Sequence, residues 1–387
     1  MQSLEQLITL RKTLHQNPEL SNQEEATAAR ILNEFLAFSP DDVVTGLGGT
    51  GLAFVFNGAD TGPTTLIRSE LDALPIEETN TFAHRSQVKG VSHKCGHDGH
   101  MSIVTALGAE LAKSRPQKGR VVLCFQPAEE TGMGATQVVN DVRFAALKPD
   151  YAFALHNYPG LELGKVAVRA GTFNCASRGM IIHLKGKTSH AAHPENGVSP
   201  ANAMCQIIQE LNTLPAKLTQ QGIERRQWVT VIHAKLGDVA FGTAPGDAVV
   251  MATLRSETNE GMQTLIEHAE AFSQTLAAQE RLSIRFEYDD VFQASVNSQI
   301  GCDLVVSACE ITQTPCLLLD EPMRWSEDFG QFTATAKEGA MFALGAGQTS
   351  PQLHNPDYDF PDSLIPTGRD IFLDIIRQLN GFQEAGS

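Results

Sequence analysis

Four short apolar runs constrain the fold most. They are Leu52–Phe56, Thr64–Ile67, Val121–Phe125 and Tyr151–Leu155. Stretches of helical apolar spacing accompany them at residues 3–15, 22–38 and 99–113. Continuous apolar runs of strand length imply strands buried on both faces, so the pattern predicts an α/β sheet covered by helices. In such sheets chemistry gathers just past the carboxyl ends of the strands. Residues that follow these runs are therefore the first candidates for function.

After residue 175 the pattern changes. Strand-like segments at 178–184, 228–235, 247–256 and 282–288 enclose helical segments at 199–213 and 261–279. The order strand-helix-strand-strand-helix-strand is that of a ferredoxin-like α+β unit. The expected organisation is a discontinuous catalytic domain, 1–175 and 291–387, with an inserted domain at 176–290. A chain of 387 residues with 42% hydrophobic content can fill cores of this size.

A formal net charge of −16 argues against nucleic acid or an anionic membrane as a partner. There is no run of about eighteen apolar residues for a membrane-spanning helix. The start, Met1-Gln2-Ser3-Leu4-Glu5-Gln6, lacks the basic and apolar pattern of a secretion signal. Seven scattered cysteines form no disulfide framework, which fits a reducing cytoplasm.

The densest chemistry lies in Ser92-His93-Lys94-Cys95-Gly96-His97-Asp98-Gly99-His100, directly before a helix. A thiolate and an imidazole separated by one glycine can reach one metal region. A polar loop with Asp98 capping the helix is the plainer alternative. Glu129 and Glu130 follow the run 121–125; one can bind a metal while the other holds a water and acts as general base. A solvated acidic loop would look the same in isolation. His156 follows the run 151–155, and His354 lies near the C-terminus in Leu353-His354-Asn355-Pro356. A lone histidine at a strand end is usually structural; the combination of a cysteine, histidines and glutamates at such ends points to a metal centre or hydrolytic site.

An ordered series of motifs runs from Arg11 to Asp359. It comprises Arg11-Lys12-Thr13-Leu14-His15, Arg68-Ser69-Glu70-Leu71-Asp72-Ala73-Leu74-Pro75, Cys95-Gly96-His97-Asp98-Gly99-His100 and Gln126-Pro127-Ala128-Glu129-Glu130. His156, Gly186-Lys187-Thr188-Ser189-His190, Ser326-Glu327-Asp328-Phe329 and His354 complete it. The series resembles the amidohydrolase branch of the aminoacylase and carboxypeptidase clan of two-metal hydrolases. That branch includes hippurate hydrolases, hydrolases of indole-acetyl amino-acid conjugates and N-acetyl-diaminopimelate deacetylases. The resemblance implies an exopeptidase-like domain with a mixed sheet between helices, plus an inserted lid that often forms a homodimer. It implies two divalent ions (zinc, manganese, cobalt or nickel) on Cys95, His97, Glu130, His156 and His354, with Cys95 bridging. Glu129 would be the general base, and His190 would hydrogen-bond the developing oxyanion from the lid. The substrate would be an N-acyl amino acid or a related small amide.

Three further residues have two readings each. Asp72 either orients a ligand histidine or caps a turn. Asp98 is a second such candidate. Arg255 either holds a substrate carboxylate or is a surface arginine. Two departures from the family pattern stand out: Glu70 replaces a common Asp, and Gly242 stands where an Asn usually precedes a Val-Ile-Pro stretch. The alternatives to an N-acyl amino-acid hydrolase are a dipeptidase or deacetylase, a Cys95-nucleophile hydrolase with His97 or His100 as base, and a metal-binding protein without catalysis.

Overall fold

The computed structural model describes residues 3–223 and 226–383. In chain order the elements begin with α1 (Leu4–Gln16), α2 (Glu25–Leu36), β1 (Asp42–Leu47), β2 (Gly51–Asn57) and β3 (Asp60–Glu70). There follow α3 (His97–Lys113), β4 (Lys118–Gln126), α4 (Gly134–Asn140), β5 (Tyr151–Pro159), β6 (Val166–Val168) and β7 (Gly171–Asn174). The middle of the chain forms β8 (Ala176–Lys185), β9 (Ser189–His190), α5 (Ala201–Gln220), β10 (Gln227–Leu236), β11 (Thr243–Ala244), β12 (Asp247–Ser256), α6 (Asn259–Gln279) and β13 (Ser283–Phe292). The last part forms β14 (Ser295–Asn297), α7 (Gln299–Ile311), β15 (Cys316–Leu318), α8 (Gly330–Thr335), β16 (Glu338–Gly347) and α9 (Leu364–Asn380).

The chain divides into two compact units. The first comprises the described residues of Met1–Phe173, Ser295–Pro322 and Glu327–Ser387; the second comprises those of Asn174–Ala294 with Met323–Ser326. A parallel bridge between Asn174 and Met323 ties that short returning segment to the second unit.

The first unit is built on an eight-stranded mixed sheet, ordered β1-β2-β4-β3-β5-β16-β6-β15. Strands β4, β3, β5 and β16 run parallel to one another. Their carboxyl ends therefore share one edge, where Glu70, Gln126, Asn157 and Gly345 end the strands or come close to doing so. The alternation seen in the sequence has a direct cause here. Residues 121–126 of β4 and 152–157 of β5 are all buried, so no polar face interrupts the run.

Helix α1 starts at a capping box in which Ser3 and Gln6 satisfy each other's backbone N–H groups. Phe35 of α2 stacks on Phe54 of β2 with centroids 3.9 Å apart and meets Phe125 of β4 edge-on. Burying such a ring contributes about 2 kcal/mol. Gly108 of α3 makes room for it: a Cβ there would stand 2.5 Å from the Phe35 ring.

The second unit has a four-stranded sheet ordered β10-β12-β8-β13, antiparallel throughout. Helices α5 and α6 pack on each other and bury Ile207, Leu211, Leu214, Leu265, Ile266 and Ala269 in its core. The chain order strand-helix-strand-strand-helix-strand is the one read from the sequence. Helix α5 runs to Gln220, past the expected end at residue 213, and carries Pro215 inside it. Among the described residues no helix is long and apolar enough to cross a membrane.

Candidate metal centre

Cys95 and His97 are brought together by the backbone between them. Gly96 has φ +92°, in the left-handed region, and serves as the N-cap of α3. A Cβ at Gly96 would lie 2.4 Å from Asn157 Oδ1, so glycine is also required by the close approach of β5. The cap has no side-chain hydrogen bond, which removes the alternative in which Asp98 caps this helix. The helix begins two residues before the expected start, and Asp98 lies in its first turn, fully buried. There it accepts from His15 Nδ1 at 2.8 Å and Arg11 Nη1 at 3.4 Å.

His97 and His156 are held in the tautomer that suits a metal ligand. His97 Nδ1 donates to the Asp72 carbonyl oxygen at 2.8 Å, and His156 Nδ1 donates to the Asn157 carbonyl oxygen at 2.8 Å. Each Nε2 is thereby left with its lone pair exposed to the site. His156 Nε2 lies 3.3 Å from Cys95 Sγ. His97 Nε2 is buried without a hydrogen-bond partner, 3.8 Å from Glu130 Oε1 and 3.9 Å from Glu129 Oε2. Glu130 Oε1 is likewise buried and unsatisfied. His354 follows β16, with Nε2 3.7 Å from Glu130 Oε2 and its side chain half-exposed.

These atoms form overlapping trios. Cys95, His97 and His156 make one, and Cys95, Glu130 and His354 make another, with ligand atoms in each trio within 4.8 Å of one another. The two share the Cys95 sulfur, as a bridging ligand would. Orphaned buried donors of this type, one thiol, imidazoles and carboxylates, fit borderline divalent ions.

The charges agree with that fit. Burial, together with Glu130, Glu129 and Glu70, pushes the Cys95 thiol well above its ordinary value. Burial raises Glu130 to about 7, although His97 pulls the other way. Against burial, Glu70, Asp72 and Glu130 raise His97 to about 10. A site that pulls protons onto its ligands this strongly is one where a cation can replace them. The same values disfavour a cysteine nucleophile. The buried thiol resists ionisation among Glu130, Glu129 and Glu70, and both ring nitrogens of His100, one of the two candidate bases, are engaged by Glu70 and Asn157.

Glu129 sits in a single tight turn after β4, with Oε2 pointing toward His97. Ala128 before it adopts φ +50° and is held there by Glu24 Oε1, which accepts from its N–H at 2.9 Å. Asp72 Oδ2 accepts from the Glu130 N–H at 3.0 Å and from Ser21 Oγ at 2.7 Å. Asp72 thus touches both neighbours: its carboxylate accepts from the turn and its carbonyl oxygen accepts from His97.

A buried network beneath Glu129 was missed by sequence reasoning. Arg68 donates to Gln126 Oε1 at 2.7 Å, Glu327 Oε1 at 2.7 Å and Asp328 Oδ1 at 2.8 Å, and pairs with Glu70. Burial, with Glu327, Glu130 and Asp328 nearby, pushes Glu129 well above the usual carboxylate range while Arg68 opposes the shift. An arginine directly after the apolar run 64–67, within β3, was the available signal, because a buried cation needs anionic partners. Glu70, the departure from Asp, also reaches His100 Nδ1 at 2.8 Å. His100 Nε2 accepts from the Asn157 N–H at 3.2 Å, so both ring nitrogens are used and His100 is a support rather than a ligand.

The remaining candidates belong to the second unit. His190 is exposed on β9, which pairs with β11. Its Nδ1 accepts from the Ala192 N–H at 3.0 Å, leaving Nε2–H as a free-facing donor. A Cβ added at Gly242 would meet no atom within 4 Å, so neither packing nor backbone demands glycine there. Arg255 donates Nη1 to the Arg324 carbonyl and to Ser326 Oγ, both at 2.9 Å. That gives it a structural task within its own unit.

Comparison with known proteins decides the family. The profile of peptidase family M20/M25/M40 matches residues 66–378. The chain belongs to this family. As an M20 protein it is a metal-dependent amidohydrolase. It is 29% identical to an N-acetyldiaminopimelate deacetylase of Oenococcus oeni, over 95% of this chain and 96% of that one. It is 27% identical to a hippurate hydrolase of Campylobacter jejuni, over 92% of each chain. A dinuclear metal binding peptidase of the M20 family from Bacillus subtilis has the same fold, with a TM-score of 0.81 at 24% identity, covering 96% of this chain and 97% of that one.

Proposed function

We propose that this M20 enzyme hydrolyses the amide bond of N-acyl amino acids or related small amides at a pair of divalent ions. Cys95, His97, Glu130, His156 and His354 would hold the ions, with Cys95 shared. The observation that carries the reading is the buried, unpartnered Nε2 of His97 among Cys95, His156, Glu129 and Glu130, with its Nδ1 fixed by Asp72. The relatives that act on acylated amino acids narrow the substrate class.

Bound divalent ions supply the positive charge that polarises the amide carbonyl and eases deprotonation of water. Glu129 takes the proton from the attacking water as its oxygen bonds to the carbonyl carbon. It then delivers that proton to the amide nitrogen as the C–N bond breaks, so a carboxylic acid and an amine leave. His190 Nε2–H donates to the oxyanion between those events. Asp72 and Asp98 support the centre, Asp72 through His97 and the Glu130 turn, Asp98 through α1. Arg255 offers its remaining guanidinium nitrogens to a substrate carboxylate. The second unit acts as the inserted lid, with residues 176–290 as its span, and the edge strand β10 pairs two copies into a homodimer. Seven cysteines with no disulfide among the described residues suit a reducing cytoplasm.

The test is reconstitution with zinc, manganese, cobalt or nickel and a screen of N-acyl amino acids and dipeptides for amine release. Turnover of one class, lost on chelation, is the expected result. Turnover that survives complete metal removal would refute the metal reading.

A further inference from the structure

Lys94 stands next to Cys95, yet none of the chemistry above uses it. Its side chain is fully buried, which is costly for an ammonium without partners. Its partners are specific. Nζ donates to Glu78 Oε1 and to the Tyr358 carbonyl oxygen at 2.7 Å. Its own carbonyl oxygen accepts from the His354 N–H at 2.8 Å. One residue therefore holds both ends of the segment 354–358 against the loop that carries Cys95.

His354 needs such a hold. Its φ is +65°, a conformation that costs a non-glycine residue energy and persists only when neighbours impose it. Its side chain is half-exposed, so packing does little to fix it. Glu78 is itself braced by His15 Nε2 at 3.0 Å and by the Ser86 N–H. Tyr358 is braced from the other side, since its hydroxyl accepts from Asn157 Nδ2 at 2.6 Å.

We infer that Lys94 is a positioning residue that sets His354 for the ion shared by Cys95, Glu130 and His354. The inference rests on the proposed metal reading. It is selective: the two histidines of the other trio, His97 and His156, take their orientation from the Asp72 and Asn157 carbonyls and not from Lys94.

The experiment is titration of the apo full-length protein with Co²⁺ against a competing chelator, following the cobalt absorption bands and the melting temperature. In Lys94→Met one of the two ions is expected to bind roughly 10- to 100-fold more weakly, the usual effect of removing an outer support, while the other keeps its affinity. Lys94→Arg should restore much of the loss. In a His354→Ala background, Lys94→Met should add little further loss, because the ligand it positions is already gone. Glu78→Gln gives the same selective loss on a smaller scale and serves where Lys94→Met does not fold. Equal weakening of both ions, or losses that simply add to His354→Ala, would reduce Lys94 to a structural residue and overturn the inference. A parent protein that binds no Co²⁺ would overturn the metal reading itself and this inference with it.

Discussion

His97, proposed as an ion ligand, and His190, proposed as an oxyanion donor, are held in opposite ways. His97 is fully buried, its Nδ1 fixed by a backbone carbonyl, and it starts a 17-residue helix. His190 is exposed on a two-residue strand and is fixed by one hydrogen bond to the Ala192 N–H. The first unit builds its site in advance, with buried charges that demand partners. The second unit carries its candidate donor on an exposed side chain with a single hydrogen bond. A ligand must be rigid to select and hold an ion, whereas an oxyanion donor on a lid is needed only after substrate is bound.

The largest effect expected from this contrast is at the rigid site. Glu129→Gln should lower kcat by roughly 10²–10⁴ while the metal content stays that of the parent. Steady-state kinetics with metal analysis checks it, and unchanged turnover would remove Glu129 from the chemistry. His190→Ala should lower kcat by roughly 10²–10³ without moving the melting temperature, because an exposed side chain contributes little to folding. A fall in melting temperature as large as that of a core variant would break the contrast between the units.

A third expectation concerns the brace behind the rigid site. Despite burial, Asp98, Glu78 and Asp359 raise His15 to about 9 from its ordinary 6.5. The folded protein is therefore more stable when His15 is protonated. That stability is fully present below pH 6.5 and is lost as pH rises through about 9, on the order of 3 kcal/mol in all. Urea unfolding of the parent and of His15→Gln between about pH 6 and pH 10 tests the sign; a parent whose stability rises over that range relative to the variant contradicts it. The smallest effect belongs to the second unit. Gly242→Asn fits without a clash and should change kcat/KM for one substrate over another by roughly fivefold, the worth of one hydrogen bond of ~1 kcal/mol. An unchanged ranking across the substrate panel would detach that position from specificity.

Much of the fold was legible because burial leaves a direct mark on sequence. The apolar runs ending near Phe125 and Leu155 lie in parallel strands, and the residues after them, Glu129, Glu130 and His156, do come together. The support beneath them was not legible. Arg68 is far in sequence from the adjacent pair Glu327 and Asp328, and their local context does not say which partners the arginine takes. For Asp98 the sequence left a helix cap and a supporting role open; the fully buried Arg11 and His15 from α1 take up its carboxylate, so the cap is the reading that drops out.

The residue types and their order, by themselves, determined that this chain has the donors for a metal site at the carboxyl edge of an α/β sheet. The family resemblance picked His97 from the three histidines of one nine-residue stretch; only the tertiary structure shows the physical reason, in what each ring touches. His93 is buried beside the His15 ring, and burial lowers it to about 3. His100 is occupied by Glu70 and Asn157. His97 alone of the three has its Nε2 aimed at Cys95's neighbours with Nδ1 tied behind it. Sequence supplies donor atoms but not their directions; those follow from the left-handed turn at Gly96, the start of α3 and the strand that packs against both.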